Sequence, residues 1–133
     1  MNTTRKGYIG QLIVIQNLLE NYKDIQVYEP VVDDKTIDLL VISKGKKITI
    51  NVKYHTSMNV SKTQASIQIH LNKCKADWIA TPHKVGNKTY VLWFKNNRPN
   101  DKYVMSIAVN QPKNNQVKGI NFYEDFLKSP LEV

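Results

Sequence analysis

The sequence predicts an α/β domain with a central mixed β-sheet flanked by helices. Three observations support this prediction: a helical apolar pattern near the N-terminus, two β-rich runs around a Lys44-Gly45 turn, and further β-rich runs towards the C-terminus. The chain has 133 residues, 41% of them hydrophobic, with five glycines and five prolines. This composition suits one ordered core, so a single domain over residues 1–133 is expected.

The N-terminal helix is predicted over residues 7–23. Its apolar side chains recur at helical spacing and are Tyr8, Leu12, Ile15, Leu18, Leu19 and Tyr22. Gln11 points in the same direction as this stripe, although it is polar. Two interpretations of Gln11 remain open: an amide that bonds a nearby backbone group, or a residue of a functional site.

The elements after this helix are predicted in the order strand, hairpin, mixed segment, strands and terminal helix. Strands are predicted at Ile25–Tyr28, 89–95 and 103–109, and a short terminal helix at 122–128. Ala65–Leu71 is a further strand, or else part of 62–75 is helical. Trp78, Ile79 and Ala80 form a short apolar run that ends at Thr81-Pro82. Polar loops are expected at 31–36, 55–63, 96–102 and 110–119, with a turn at Gly86-Asn87.

The hairpin over residues 37–54 is the most informative stretch. A two-residue turn at Lys44-Gly45 would pair Asp38 directly with Asn51. Because side chains alternate between the faces of a sheet, Lys53 shares the face of Asn51, and the opposite face is apolar throughout. One face of the hairpin therefore gathers an acid, an amide and a lysine.

These residue types suit phosphodiester hydrolysis. A metal ion polarises the phosphate and generates hydroxide, and hard cations such as magnesium prefer oxygen ligands. Asp38, Asn51 and the carbonyl of Val52 offer such oxygens, and Lys53 offers a charge that orients water or neutralises the reacting phosphate. The alternative interpretation of Asp38 and Lys53 is an ordinary solvated ion pair.

The pattern Asp38, hairpin, Asn51-Val52-Lys53-Tyr54 resembles the PD-(D/E)XK nuclease motif, and the segment Lys6-Gly7-Tyr8-Ile9-Gly10-Gln11 resembles the opening helix of that superfamily. Group I intron-encoded homing endonucleases and archaeal Holliday junction resolvases are the similar families, over residues 5–56. The resemblance implies a restriction-endonuclease-like fold, a Mg²⁺ or Mn²⁺ cofactor, and a DNA endonuclease activity on duplex or branched DNA. It also implies that Asp38 and Asn51 are metal ligands, that Lys53 assists the attacking water, and that Gln11 reaches the site.

The sequence departs from the family at two positions. Asn51 and Gln11 are amides where the family usually has acids, which leaves Asp38 as one carboxylate for a divalent ion. The site is then weak, recruits Glu20, Asp33 or Asp34, or is inactive. Gln11 is either natural or an engineered replacement of Glu that traps a substrate complex. A DNA-binding module without catalysis and a purely structural protein are the competing hypotheses.

Charge and composition indicate the partners. The formal charge of +8 favours a polyanionic partner, nucleic acid rather than membrane, because no apolar run is long enough to span a bilayer. Cleavage of both strands by so small a chain calls for a homodimer or higher homo-oligomer. A single cysteine and the lack of a signal peptide favour an intracellular, cytoplasmic protein. The candidate nucleic-acid-binding residues are Arg5, Lys6, Lys46, Lys47, Lys62, Lys73 and Lys75.

Overall fold

The structure is a computed structural model, and it describes residues 3–31, 37–54, 57–60, 65–85, 87–109 and 122–132. One α-helix, α1, spans Thr3–Asn21. The strands are β1 Ile25–Tyr28, β2 Leu39–Ser43, β3 Lys46–Val52, β4 Ser57–Val60, β5 Ala65–Leu71, β6 Trp78–Val85, β7 Lys88–Lys95 and β8 Tyr103–Ala108. Two 3₁₀-helices follow at Tyr123–Phe126 and Pro130–Glu132. In the part of the chain that the structure describes, no helix has the length and apolarity to cross a membrane.

The central sheet has five strands in the order β1-β2-β3-β6-β7. Strands β3 and β6 run parallel, and the other neighbours are antiparallel, so the sheet is mixed. Strands β4, β5 and β8 form a second, antiparallel sheet. The α/β prediction with a central mixed sheet is thereby confirmed, although a sheet rather than a second helix covers one of its faces.

The hairpin of β2 and β3 has the predicted register. Leu39 pairs with Ile50 and Ser43 with Lys46, so the turn consists of Lys44 and Gly45 alone. Both turn residues have positive φ, 52° and 76°, which is the conformation of the tight turns whose twist matches that of the strands. Glycine adopts it without steric cost.

Each face of the central sheet has its own core. Helix α1 packs Val14 and Leu18 on one face. That core also contains Leu39, Val41, Ile48, Ile50, Ala80, Val91 and Trp93. The second sheet covers the other face, and that core contains Ile67, Ile69, Leu71, Ile79, Leu92, Phe94 and Ile107. Residues of β3 and β6 therefore alternate between a helix-facing and a sheet-facing position.

Several sequence-based boundaries were wrong. Ser57–Val60 is a strand rather than loop, because β5 offers it an antiparallel partner, and the helical alternative within 62–75 fails because Ala65–Leu71 is extended. Strand β6 continues through Pro82, which has no strand partner on the β3 side because that pairing ends near Ala80. A proline there removes no sheet hydrogen bond on that side. The terminal helix predicted at 122–128 is a 3₁₀-helix at Tyr123–Phe126.

Helix α1 starts earlier than predicted and buries a narrower face. Val14 and Leu18 are buried, whereas Tyr8, Leu12 and Leu19 of the predicted inward stripe are exposed by 52%, 44% and 56%. The predicted loop at 110–119, and most of that at 31–36, lie outside the described residues.

Candidate active site

Asp38 lies immediately before β2, where the hairpin meets helix α1. Its backbone N–H donates to the carbonyl of Ile50 at 2.9 Å, although Leu39 is the strand residue that pairs with Ile50. Its carboxylate accepts hydrogen bonds from helix α1 and from β3. The backbone N–H of Val52 donates to Oδ2 at 2.7 Å, and Gln11 Nε2 donates to Oδ1 at 3.3 Å. Asp38 therefore connects the helix to the end of β3.

Gly10 explains how the helix comes so close to β3. A Cβ atom at Gly10 would lie 2.6 Å from Cβ of Tyr54 and 3.5 Å from Cγ1 of Val52. Such a contact is too short for any side chain, so glycine permits the approach. The next residue of the helix is Gln11, which is thus carried to Asp38.

Gln11 bonds a side chain rather than the backbone group that one interpretation of the sequence expected. Its amide group presents N–H to the carboxylate in this structure. An amide exposes either its oxygen or its nitrogen after a half-turn about its last bond, so the same side chain can present Oε1 to a cation. The contact fits a site residue, whose catalytic role remains a prediction.

Asn51 and Lys53 lie on β3 beside these contacts. They alternate with Ile48 and Ile50 of the helix-facing core, which puts them on the sheet-facing side. Asn51 is 4% exposed and Lys53 is half-buried. The backbone N–H of Lys53 donates to the carbonyl of Ala80 at 2.9 Å, which fixes its position against β6. The observed register ends at Leu39 and Ile50, and the backbone N–H of Asp38 also bonds Ile50, so the pairing of Asp38 with Asn51 stays a prediction.

The oxygen atoms near Asp38 are of the type that hard cations bind, but they carry little negative charge. The described residues contain no cluster of three or more His, Cys, Asp or Glu side chains able to hold a metal ion. Magnesium and manganese nevertheless accept amide and backbone carbonyl oxygens beside a carboxylate. The Asp38 carboxylate and the Gln11 amide are in contact and are groups of this kind, and the Asn51 amide and the Val52 carbonyl belong to the adjoining end of β3.

The acids considered as substitutes do not add to this set. Glu20 accepts a hydrogen bond from Gln16 at 2.8 Å on the exposed part of the helix. It lies about 14 Å along the helix from Gln11, too far to reach Asp38. Asp33 and Asp34 fall outside the described residues.

Two polar side chains on β6 were missed by the sequence analysis. Thr81 is fully buried, and its Oγ1 and His83 Nε2 have no hydrogen-bond partner among the described residues. Both follow Ala80, the residue that pairs with the end of β3, and burial lowers the pKa of His83. Buried polar atoms of this kind commonly hold water. They were missed because Thr81-Pro82 was interpreted as the end of the apolar run.

The predicted nucleic-acid-binding residues lie at two ends of the molecule. Arg5 is exposed on α1, in the turns that precede Gln11. Exposed lysines at the start of β3 and before β6 lie at the other end of the sheet, and these are Lys46, Lys47, Lys73 and Lys75. The side chain of Lys6 and the whole of Lys62 lie outside the described part.

Comparison with known proteins identifies the fold. No protein-family model matches the sequence, and no curated protein matches it. The structure is similar to that of a bacterial homing endonuclease, I-Ssp6803I, with a TM-score of 0.61 and 16% sequence identity. The match covers 88% of this chain and 83% of that chain. At this identity the similarity concerns the fold alone, and the chain has the α/β fold of that endonuclease.

Proposed function

We propose that the protein is a metal-dependent DNA endonuclease of the PD-(D/E)XK type, which hydrolyses phosphodiester bonds in duplex or branched DNA inside the cell. The observation that carries the proposal is Asp38, held between Gln11 of the helix and the backbone of Val52 at the end of the hairpin. Asn51 and Lys53 are the chain neighbours of Val52, whose N–H bonds this carboxylate. The homing-endonuclease fold supports DNA as the substrate.

Each residue has a distinct task in this proposal. Asp38, Asn51, the Val52 carbonyl and Gln11 would hold Mg²⁺ or Mn²⁺, and the bound ion would polarise the phosphate and activate water. The ammonium of Lys53 orients the attacking water and stabilises the negative charge that develops on the phosphate. The close packing at Gly10 keeps Gln11 within reach. Arg5 and four exposed lysines attract the DNA backbone, and these are Lys46, Lys47, Lys73 and Lys75.

Cleavage of both strands needs two copies of the site. We propose a symmetric homodimer, or a higher homo-oligomer, in which a two-fold axis presents one site to each strand. Exposed Tyr8, Leu12 and Leu19 on α1 supply apolar surface for a second copy. Mass measurement in solution tests this: Leu12→Glu with Leu19→Glu should shift an oligomer to monomer, whereas a monomeric parent contradicts the proposal.

A catalytically inactive DNA-binding module is the second candidate. It is favoured by the two amides, Gln11 and Asn51, because they leave Asp38 as one carboxylate facing the ion. Under this alternative the basic surface still binds DNA, and the affinity falls steeply with salt because phosphate contacts release counterions.

A plasmid-cleavage assay separates the two candidates. With Mg²⁺ or Mn²⁺ we expect nicking or linearisation by the parent protein, and a loss of about 10²–10³-fold in rate for Lys53→Ala and Asp38→Ala. Lys84→Ala, an exposed change on β6, serves as the control and should cleave normally. DNA binding measured in Ca²⁺ should persist in the inactive variants. Salt-sensitive binding by a parent that never cleaves would establish the binding module instead.

A further inference from the structure

A cavity of about 410 Å³ lies at the end of the central sheet that is remote from Asp38. It opens where β3 and β6 begin and where β7 ends. The seven residues of β3 separate it from the candidate cleavage site by about 20 Å. Its volume lies within the range of cavities that hold small organic ligands, about 300–1,000 Å³.

The walls of the cavity are strongly basic. Its lining lysines are Lys46, Lys47, Lys75 and Lys95. The lining carboxylate is that of Asp77, and its Oδ2 accepts the backbone N–H of Thr49 at 3.2 Å and the Thr49 hydroxyl at 2.9 Å. The described residues include no salt bridge to any of these lysines. Several lysines therefore line the cavity, and its lining carboxylate is already hydrogen-bonded to Thr49. This arrangement favours the binding of a polyanion from solution.

The segment that carries Lys75 is held in place by Asn96. The Asn96 Nδ2 donates to the carbonyls of Cys74 at 3.0 Å and Ala76 at 2.9 Å. The backbone N–H of Asn96 donates to the carbonyl of Asp77 at 2.9 Å. These bonds fix the connection before β6 against β7. Lys75 is thus presented from a rigid backbone, which lowers the entropic cost of binding.

Apolar groups line the rest of the cavity. They are Ile48, Ala76, Trp78, Pro99 and Pro130. Trp78 is half-buried: it packs on the helix-facing core and also borders the cavity. Lys95 is its cross-strand partner on β7, so both side chains project from the same face of the sheet, and both line the cavity. Aromatic side chains in this setting stack on nucleic-acid bases, while lysines bind the phosphate.

We propose that this cavity binds a nucleotide, with its phosphate among the lysines and its base against Trp78. The ligand is a free nucleotide or one nucleotide unit of a single strand, since both present the same chemistry. The site is separate from the candidate cleavage site and does not depend on cleavage. It goes beyond the general phosphate contacts proposed for Lys46, Lys47 and Lys75, because it adds a ring-binding surface and Lys95.

The test measures binding by calorimetry and by tryptophan fluorescence. The probes are deoxyadenosine monophosphate, deoxyadenosine, inorganic phosphate and a short single-stranded oligodeoxyadenylate. The protein is the full chain in four forms: the parent, Lys75→Gln with Lys95→Gln, the matched control Lys23→Gln with Lys84→Gln, and Asp38→Ala. Each pair removes two positive charges, so the two paired variants have the same net charge. All four substituted lysines are exposed, so the two variants should also have similar melting temperatures.

We expect the monophosphate to bind the parent more tightly than either deoxyadenosine or phosphate does. The Lys75→Gln, Lys95→Gln variant should bind it about tenfold or more weakly, since charged hydrogen bonds are lost. The control pair and Asp38→Ala should bind as the parent does. Tighter binding of the oligonucleotide would identify a nucleic-acid strand as the source, and equal binding a free nucleotide.

Two results would overturn the proposal. Equal losses in the lining and control pairs would mean that only the overall charge matters. Phosphate that binds as tightly as the monophosphate would leave no role for the ring surface. Failure of plasmid cleavage has no bearing on either result, so this site and the proposed activity are tested separately.

Discussion

The substitution Gln11→Glu tests the metal site most directly. It replaces the amide donor 3.3 Å from Asp38 Oδ1 with a second carboxylate. A hydrogen bond to a charged group contributes about 1.5–3 kcal/mol, and the new pair of like charges adds repulsion that solvent reduces at this half-exposed position. Without metal we expect the free energy of unfolding to fall by about 2 kcal/mol. In a domain of this size that corresponds to a melting temperature lower by roughly 8 °C.

Magnesium should reverse this loss. Two carboxylates neutralise the ion where one carboxylate and one amide do so only in part, so the variant should bind it more tightly. At an ion concentration about 100 times the dissociation constant, mass action stabilises the native state by about 2.7 kcal/mol. Melting curves with Mg²⁺ and with chelator, at matched ionic strength, measure the gain. The gain should be larger for Gln11→Glu than for the parent, and plasmid cleavage should rise with it.

Gln16→Glu is the matched control on the same helix. Gln16 also donates to a carboxylate, that of Glu20 at 2.8 Å, but both side chains are exposed and far from Asp38. The control should lose only about 0.2–0.5 kcal/mol and show no added response to magnesium. Asp38→Asn combined with Gln11→Glu should remove the magnesium response. If magnesium stabilises Gln11→Glu no more than the parent, or if Asp38→Asn leaves the response intact, the reasoning about this site is wrong.

Two further substitutions test the packing and the pH dependence. Gly10→Ala should destabilise the fold by about 1–3 kcal/mol in chemical denaturation, because the new methyl group meets Tyr54. Gly7→Ala, with open space around it, should stabilise the fold by up to about 1 kcal/mol. Equal effects of the two substitutions would contradict the close approach of the helix to β3. Burial lowers the pKa of His83 below its ordinary value of 6.5, so the unfolded chain takes up the proton first and stability should fall as the pH drops through about 6.5. His83→Asn should weaken the dependence of the free energy of unfolding on pH, whereas His70→Asn, at an exposed position, should not. An unchanged pH dependence in His83→Asn would contradict the attribution of this effect to His83.

The hairpin could be predicted from the sequence because its determinants are local. Two β-rich runs around Lys44-Gly45 leave one short loop, and a two-residue loop fixes every pair of facing residues. The register from Leu39–Ile50 to Ser43–Lys46 was predicted correctly, whereas the facing of Asp38 and Asn51 beyond it stays a prediction. The contact between Gln11 and Asp38 could not be derived in this way, since it joins residues 27 positions apart.

The parts that were predicted wrongly depend on tertiary context. Ser57–Val60 is short and lies in a mostly polar segment, and it forms a strand because β5 lies beside it. The inward stripe of α1 correctly included Leu18, but it also included Leu12 and Leu19, which are exposed, and it missed Val14, which is buried. The helix covers a single sheet face, and its approach is set by Gly10. Helical spacing alone gives an apolar direction and not its final rotation.

The amide of Gln11 allows the candidate site to form without a bound metal ion. With Gln11, the helix, the hairpin and the carboxylate of Asp38 satisfy one another by direct hydrogen bonds, so the site can assemble without an ion. A glutamate there would leave two carboxylates in contact until a cation arrived, and folding would then depend on the cation. The proposed metal site would then be preformed but would bind its ion weakly. Activity in this protein should therefore respond to the concentration of the divalent ion, while its stability should respond little.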